Sequence, residues 1–160
     1  MPLRRLASVL VAFLILSACS SSGPGPIPPE NVDKADVTAV RVSGSEGNYT
    51  FEVTVSSPDQ GCGEYADWWE VVARDGTLIY REVFDQPHLD EQPFTTSGGP
   101  VQVPDDQRVV VRAHMKEAGY GGRALEGAPG APTFDPADLP DGFATDIDDI
   151  DPQPGTCQEP

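Results

Sequence analysis

Between residues 49 and 55 apolar and polar side chains alternate strictly, and this pattern limits the possible folds of the chain more than any other feature. The apolar positions are Tyr49, Phe51, Val53 and Val55, with Thr50, Glu52 and Thr54 between them. A period of two places the apolar side chains on one face of a β-strand, whereas a helical pattern repeats every three to four residues. The segment is therefore predicted to be a strand with one buried and one solvated face.

Other short segments predict further strands. Residues 68–74 and 77–83 flank Asp75-Gly76, a pair that typically forms a tight hairpin turn between two apolar runs. Residues 37–42, 101–103 and 108–115 are additional strand candidates, and no segment has a convincing amphipathic helical pattern. These features predict an all-β fold, with residues 35–127 forming a single antiparallel β-sandwich like immunoglobulin or fibronectin type III domains. An open barrel would produce much the same pattern.

The first eighteen residues have the composition of a secretory signal. Arg4 and Arg5 precede an apolar run from Leu6 to Leu16, and two small residues follow. This run is too short for a spanning helix, which needs about 20 apolar residues. Residues 1–18 are therefore predicted to be a signal peptide.

The segment Leu16-Ser17-Ala18-Cys19 resembles the lipobox of bacterial lipoproteins. The resemblance implies cleavage before Cys19 and acylation of its thiol by fatty acids such as palmitate, which would anchor the chain outside the cytoplasm on the cell membrane or an outer membrane. An ordinary signal peptide that ends near a cysteine is the alternative. Residues 19–34, rich in Pro, Gly and Ser, are expected to form a semi-rigid tether above the membrane.

The chain is strongly acidic, with 26 acidic and 10 basic residues and a net charge of −16. Removal of the signal deletes two arginines and makes the mature chain more negative still. Such a charge repels nucleic acids and anionic lipid headgroups, so nucleic-acid binding is not expected. The expected partners are the membrane, through the lipid anchor, and another envelope protein.

Two cysteines remain once Cys19 is assigned to the lipid. Cys62 and Cys157 are predicted to form a disulfide, since such bonds persist outside the cytoplasm. Residues 128–160 are rich in Pro and Asp and contain no Lys or Arg, which is unusual for an independent core. They contain scattered apolar residues, and we expect an irregular acidic strap across the sandwich, held by the disulfide.

Several segments of the predicted mature chain are similar to segments of exported bacterial proteins of unknown function. They are residues 88–94, 97–100, 112–115 and 119–122. This similarity implies no activity. The same segments contain both histidines, and His88, Asp90, Glu91 and His114 have the chemistry of a divalent-metal site if the loop folds onto the strand. Local hydrogen bonding is the simpler interpretation, and no cofactor is expected.

Acidic and aromatic clusters give two further candidates. Asp146, Asp148, Asp149 and Asp151 concentrate oxygen ligands, but the glycine and terminal glutamate of a calcium-binding EF-hand loop are missing. In a strand, Trp68 and Trp69 point to opposite faces, so one belongs to the core and the other to the outer face. An aromatic binding platform would use the side chains of Tyr65, Trp68, Tyr80 and Tyr120. Covering of the outer tryptophan by the strap is the alternative.

No motif of a known catalytic class is present. The sequence lacks GxSxG, HExxH and phosphate-binding glycine loops, and Ser97 before Gly98-Gly99 is interpreted as turn chemistry. The leading hypothesis is therefore a membrane-anchored extracytoplasmic binding or interaction module. A divalent-metal-dependent envelope enzyme and a purely structural envelope lipoprotein are the alternatives.

Overall fold

A computed structural model describes residues 33–131 and 133–160 of the chain. The predicted signal peptide, Cys19 and most of the tether lie outside these residues. Within the described part, no helix has the length and apolar character needed to cross a membrane.

Eight strands form two antiparallel sheets. They are β1 (Asp36–Ser45), β2 (Asn48–Ser56), β3 (Ala66–Ala73), β4 (Leu78–Val83), β5 (Phe94–Val101), β6 (Val109–Met115), β7 (Leu125–Gly127) and β8 (Phe134–Pro136). A three-stranded sheet has the order β1-β2-β5, and a five-stranded sheet has the order β4-β3-β6-β7-β8. The predicted all-β class is confirmed, and the two sheets are separate rather than closed into a barrel. A 3-10 turn at Thr145–Ile147 is the helical element assigned within the described residues.

The core lies between the two sheets and contains the alternating residues of β2. Tyr49, Phe51, Val53 and Val55 are each at most 5% exposed, as the period of two predicts. Trp69 of β3 enters the core from the opposite sheet, and its indole N–H donates to the Thr96 hydroxyl of β5 over 2.8 Å. This bond links the two sheets and satisfies the polar atom of the buried indole.

Strands β3 and β4 form the hairpin predicted from Asp75-Gly76. Gly76 has a φ of +90°, a conformation that side-chain-bearing residues rarely adopt. The Asp75 carboxylate accepts a hydrogen bond from the Thr77 amide at 3.0 Å, which closes the turn.

Strand β5 differs from the sequence-based interpretation. The turn expected at Ser97-Gly98-Gly99 is wrong, because these residues lie within the strand and Gly98 pairs with Phe51. The strand candidate at 101–103 contributes only Val101 to β5. A Cβ atom on Gly98 would lie 2.7 Å from the side chains of Tyr80 and Glu82, so close approach of β4 explains this glycine.

The C-terminal segment begins as part of the sheet. β8 pairs with β7, and the irregular strap is the remaining part of the segment, residues 137–160. The strap covers the outer face of the five-stranded sheet, so all residues of β3 and β6 are buried on both faces. The predicted pairing of Cys62 with Cys157 is present, and the Gln158 amide also donates to the Asp85 carbonyl at 2.7 Å.

We predict that the double substitution Cys62→Ser/Cys157→Ser lowers the free energy of unfolding. The disulfide joins residues 95 positions apart, and closing a loop of this size stabilises a fold by about 4 to 5 kcal/mol in the chain-entropy model. Urea denaturation of both proteins measures the difference. Equal midpoints, or equal melting temperatures of the unsubstituted protein with and without reductant, would contradict the prediction.

Candidate functional site

Three charged side chains lie side by side on the outer face of the five-stranded sheet. Glu70 on β3 is in register with Arg81 on β4 and Arg112 on β6. One Glu70 oxygen accepts from Nε and Nη2 of Arg81 at 2.9 and 2.8 Å, and the other accepts from Nε of Arg112 at 2.7 Å. All three residues are at most 5% exposed. Buried charges require such pairing, because desolvation of an unpaired ion costs several kcal/mol.

The strap supplies acceptors for the remaining guanidinium hydrogens. Arg81 donates to the carbonyls of Ile147 at 2.7 Å and Ile150 at 2.5 Å, with longer bonds to two neighbouring carbonyls. Arg112 donates to the carbonyls of Phe143 and Ala144. Two arginines and one glutamate leave an excess positive charge, which these carbonyl dipoles stabilise. The strap is therefore part of the charged network.

Aromatic rings surround this network. The guanidinium of Arg81 lies 4.2 Å from the centre of the Trp68 ring, and the His114 ring stacks on Trp68 at 3.9 Å. Arg112 lies 3.7 Å from the centre of the Tyr120 ring, and this ring contacts His114 edge to face. Trp68 is only 3% exposed. Since cationic and aromatic neighbours cover Trp68, it offers no open surface for stacking a ligand.

The other aromatic candidates have different positions. Tyr65 is 1% exposed and belongs to the core cluster. Tyr80 lies away from Trp68, where its hydroxyl donates to the Glu82 carboxylate and accepts from the Gly99 amide. The structure thus brings Trp68, Tyr120 and His114 together, and it does not form the four-residue platform considered from the sequence.

A second buried pair lies beside this ring system. Nδ1 of His114 and Oδ1 of Asp67 are 2.7 Å apart, and the residues are 7% and 4% exposed. Burial raises the pKa of the Asp67 carboxyl, while the hydrogen bond with His114 acts in the opposite direction. An ionised Asp67 carboxylate only accepts hydrogen bonds, so Nδ1–H of His114 donates to it, and in the neutral imidazole Nε2 is then an acceptor.

Nε2 of His114 faces a cleft of about 440 Å³ between the sheet and the strap. Within the described residues this Nε2 atom makes no hydrogen bond. It is also not one of the fully buried polar atoms without a partner, so it remains accessible to solvent. Other residues on the cleft walls include Trp68, Lys116, Glu117, Asp148 and Asp149. The site thus combines an oriented imidazole with acidic side chains.

The proposed metal ligands are not brought together. The His88 ring stacks on Phe94 at 3.7 Å, and burial lowers its pKa. Asp90 and Glu91 are exposed in the loop before β5. Residues 33–131 and 133–160 contain no group of three His, Cys, Asp or Glu side chains placed to hold a metal ion, and this includes the acidic run at 146–151.

Sequence reasoning singled out His114 and Trp68 but missed Asp67, Glu70 and Arg81. A signal for them exists. Glu70 follows two tryptophans and precedes two valines, and Arg112 follows three valines. A charged residue inside such an apolar strand is rarely buried without a partner, so opposite charges on neighbouring strands indicate a buried ion pair.

No family model matches the chain, and no solved structure matches it. A similar protein is named "Putative lipoprotein" in Halomicrobium mukohataei and is 36% identical over 94 residues. The alignment covers 58% of this chain and 46% of the relative, so the chain spans about half the length of that protein.

We predict that Glu70→Gln strongly destabilises the fold. The substitution leaves two buried guanidinium groups without their counter-charge, a change that typically costs about 3 to 5 kcal/mol. Urea unfolding measures the loss. Glu52→Gln is the matched control, because Glu52 pairs with Arg41 at 2.8 Å on the exposed surface and such pairs contribute about 0 to 1 kcal/mol. Similar losses in the two variants would contradict a special role for Glu70.

We also predict that the tyrosines of the folded protein ionise at a higher pH than those of the unfolded chain. A hydrogen bond to Asp105 raises the pKa of Tyr49 to about 12, and burial raises the pKa of Tyr80 to about 12, from a usual value of 10.0. Burial also raises the pKa of Tyr65 and Tyr120. Absorbance at the phenolate band, with and without urea, measures the difference.

The same pKa shifts determine the pH dependence of stability. A phenol whose pKa is higher in the folded state stabilises the fold fully below the unfolded pKa. This contribution is lost as the pH rises from 10.0 towards about 12. Tyr80→Phe should therefore reduce the decline in stability over this interval. Coincident titration curves for folded and unfolded chains would refute both expectations.

Proposed function

We propose that the chain is the precursor of a lipid-anchored extracytoplasmic protein. The lipobox-like Leu16–Cys19 segment and the preceding signal-like residues support export and acylation. The name of the relative from Halomicrobium mukohataei agrees with this class. The Cys62–Cys157 disulfide also fits a compartment outside the cytoplasm, where such bonds persist.

The folded part is an immunoglobulin-like sandwich in this proposal. The order β1-β2-β5 corresponds to strands A, B and E, and the order β4-β3-β6-β7 corresponds to strands C′, C, F and G. Trp69 supports the correspondence, since a buried tryptophan on strand C is typical of immunoglobulin domains. Such sandwiches present binding sites on a rigid framework.

The protein acts as a binding module through the cleft beside His114. The observation that carries this proposal is the buried Asp67–His114 pair, which holds one imidazole nitrogen towards the cleft. A buried carboxylate and imidazole cost desolvation energy. Packing of the strap alone does not explain an imidazole nitrogen that is held at the cleft and makes no hydrogen bond within the described chain.

Binding is favoured over catalysis by the residues around His114. Among the residues that the structure describes, none on the cleft walls is a serine or threonine, and Cys157 is bonded to Cys62. An oriented histidine activates a nucleophile only within hydrogen-bond reach. The metal-dependent alternative lacks support because His88 and His114 have separate surroundings.

In-cell crosslinking tests the proposal. A photoreactive residue at Glu117, exposed at the cleft, is expected to capture an envelope partner, whereas one at the exposed Asp106 away from the cleft is not. Cys19→Ser should abolish labelling by radioactive palmitate and release the protein from the membrane. Palmitate labelling that survives Cys19→Ser would refute the anchor. Equal capture at Glu117 and Asp106 would refute the binding cleft.

A further inference from the structure

The cleft beside His114 has an excess of negative charge. Its walls include the acidic residues Glu117, Asp148 and Asp149, whose carboxylates form no ion pair within the described residues. The opposing cation is Lys116, whose ammonium already donates to the Cys62 carbonyl at 2.6 Å. The net charge of the whole chain has the same sign. An anionic ligand is therefore disfavoured, and a cationic one is attracted.

His114 adds a directional group to this charge. Its side chain is 9% exposed and its Nδ1 donates to Asp67, so the neutral imidazole has its Nε2 lone pair available at the cleft. Stacking on Trp68 holds the ring orientation. Gly119 leaves room beside Nε2, since even an added Cβ atom there would lie 3.9 Å away. A ligand that fits must therefore bring positive charge and N–H donors.

We propose that this cleft binds a primary ammonium group, supplied by a small amine or by a lysine side chain of a partner. Its three N–H donors suit a cleft whose walls hold both the Nε2 acceptor of a neutral His114 and the acidic residues Asp148 and Asp149. A metal ion is a poorer fit, because the described residues contain no group of three metal-binding side chains. The inference rests on the proposed binding function and names the ligand chemistry of that same cleft.

Nuclear magnetic resonance titration with n-butylammonium tests the inference. The full mature chain is used with Cys19→Ser, at constant ionic strength. The indole N–H signal of Trp68, which stacks on His114, should shift on binding. The indole signal of Trp69 is an internal control, since this group donates to Thr96 in the core and lies far from solvent. Tetramethylammonium, which has the charge but no N–H group, should bind more weakly.

Two double variants separate local recognition from general charge. Asp148→Asn/Asp149→Asn should weaken n-butylammonium binding about fivefold, as expected for two partly exposed ion pairs. Asp141→Asn/Asp146→Asn removes the same charge from exposed strap positions outside the cleft and should leave the dissociation constant unchanged. All four positions are exposed, so folding is retained in both variants.

The outcomes also distinguish the source of the ammonium group. Tighter binding of Nα-acetyl-lysine amide than of n-butylammonium indicates a lysine of a partner, and equal binding indicates a free amine. An unshifted Trp68 signal, equal weakening in both double variants, or equal binding of tetramethylammonium would overturn the inference. If the ammonium inference is overturned but crosslinking at Glu117 still captures a partner, the proposed binding function stands. If crosslinking at Glu117 also captures no partner, the inference and the proposed function both fail.

Discussion

The Glu70 carboxylate holds the outer layer of this protein together. It is buried between Arg81 and Arg112, and the three residues carry more positive than negative charge. A β-sheet has no free backbone acceptors on its face, since its carbonyls lie in the plane of the sheet. The extra guanidinium hydrogens therefore need an irregular backbone above them, and the strap provides six carbonyls for this purpose. The contacts of the acidic tail with this network are therefore made by its backbone carbonyls and not by its acidic side chains.

The elements that depend on a local sequence pattern could be predicted from the sequence. Alternation identified β2, the Asp75-Gly76 pair identified the hairpin, and cysteine counting identified the disulfide. Strand β5 was missed because Gly98 and Gly99 are typical of turns, while here the close side chains of Tyr80 and Glu82 from β4 leave little space for a Cβ atom at Gly98. That restriction arises from contact between the two sheets, so the sequence around Gly98 does not indicate it.

The candidate site was predictable only in part, for the same reason. His114 and Trp68 were singled out by residue type. His88, Asp90 and Glu91 were considered as neighbours of His114 in a metal site, with local hydrogen bonding as the simpler interpretation, and the structure pairs His114 with Asp67 and Trp68. The correct pairing depends on the register of β3 against β6, which places Trp68 opposite His114 and Glu70 opposite Arg112. Period-two patterns assign side chains to faces. They do not align one strand with the next.

The location of the positive charges connects the fold with the proposed function. Five arginines form ion pairs in the described chain, and two of these are buried around Glu70. The stabilising network therefore takes cations away from the surface and leaves the strap carboxylates unpaired. Because anionic headgroups repel such a surface, its charge is consistent with the proposed lipid anchor only if the domain is held away from the membrane. The same unpaired carboxylates favour a cationic ligand at the cleft beside His114, where a buried imidazole adds a directional group to the charge.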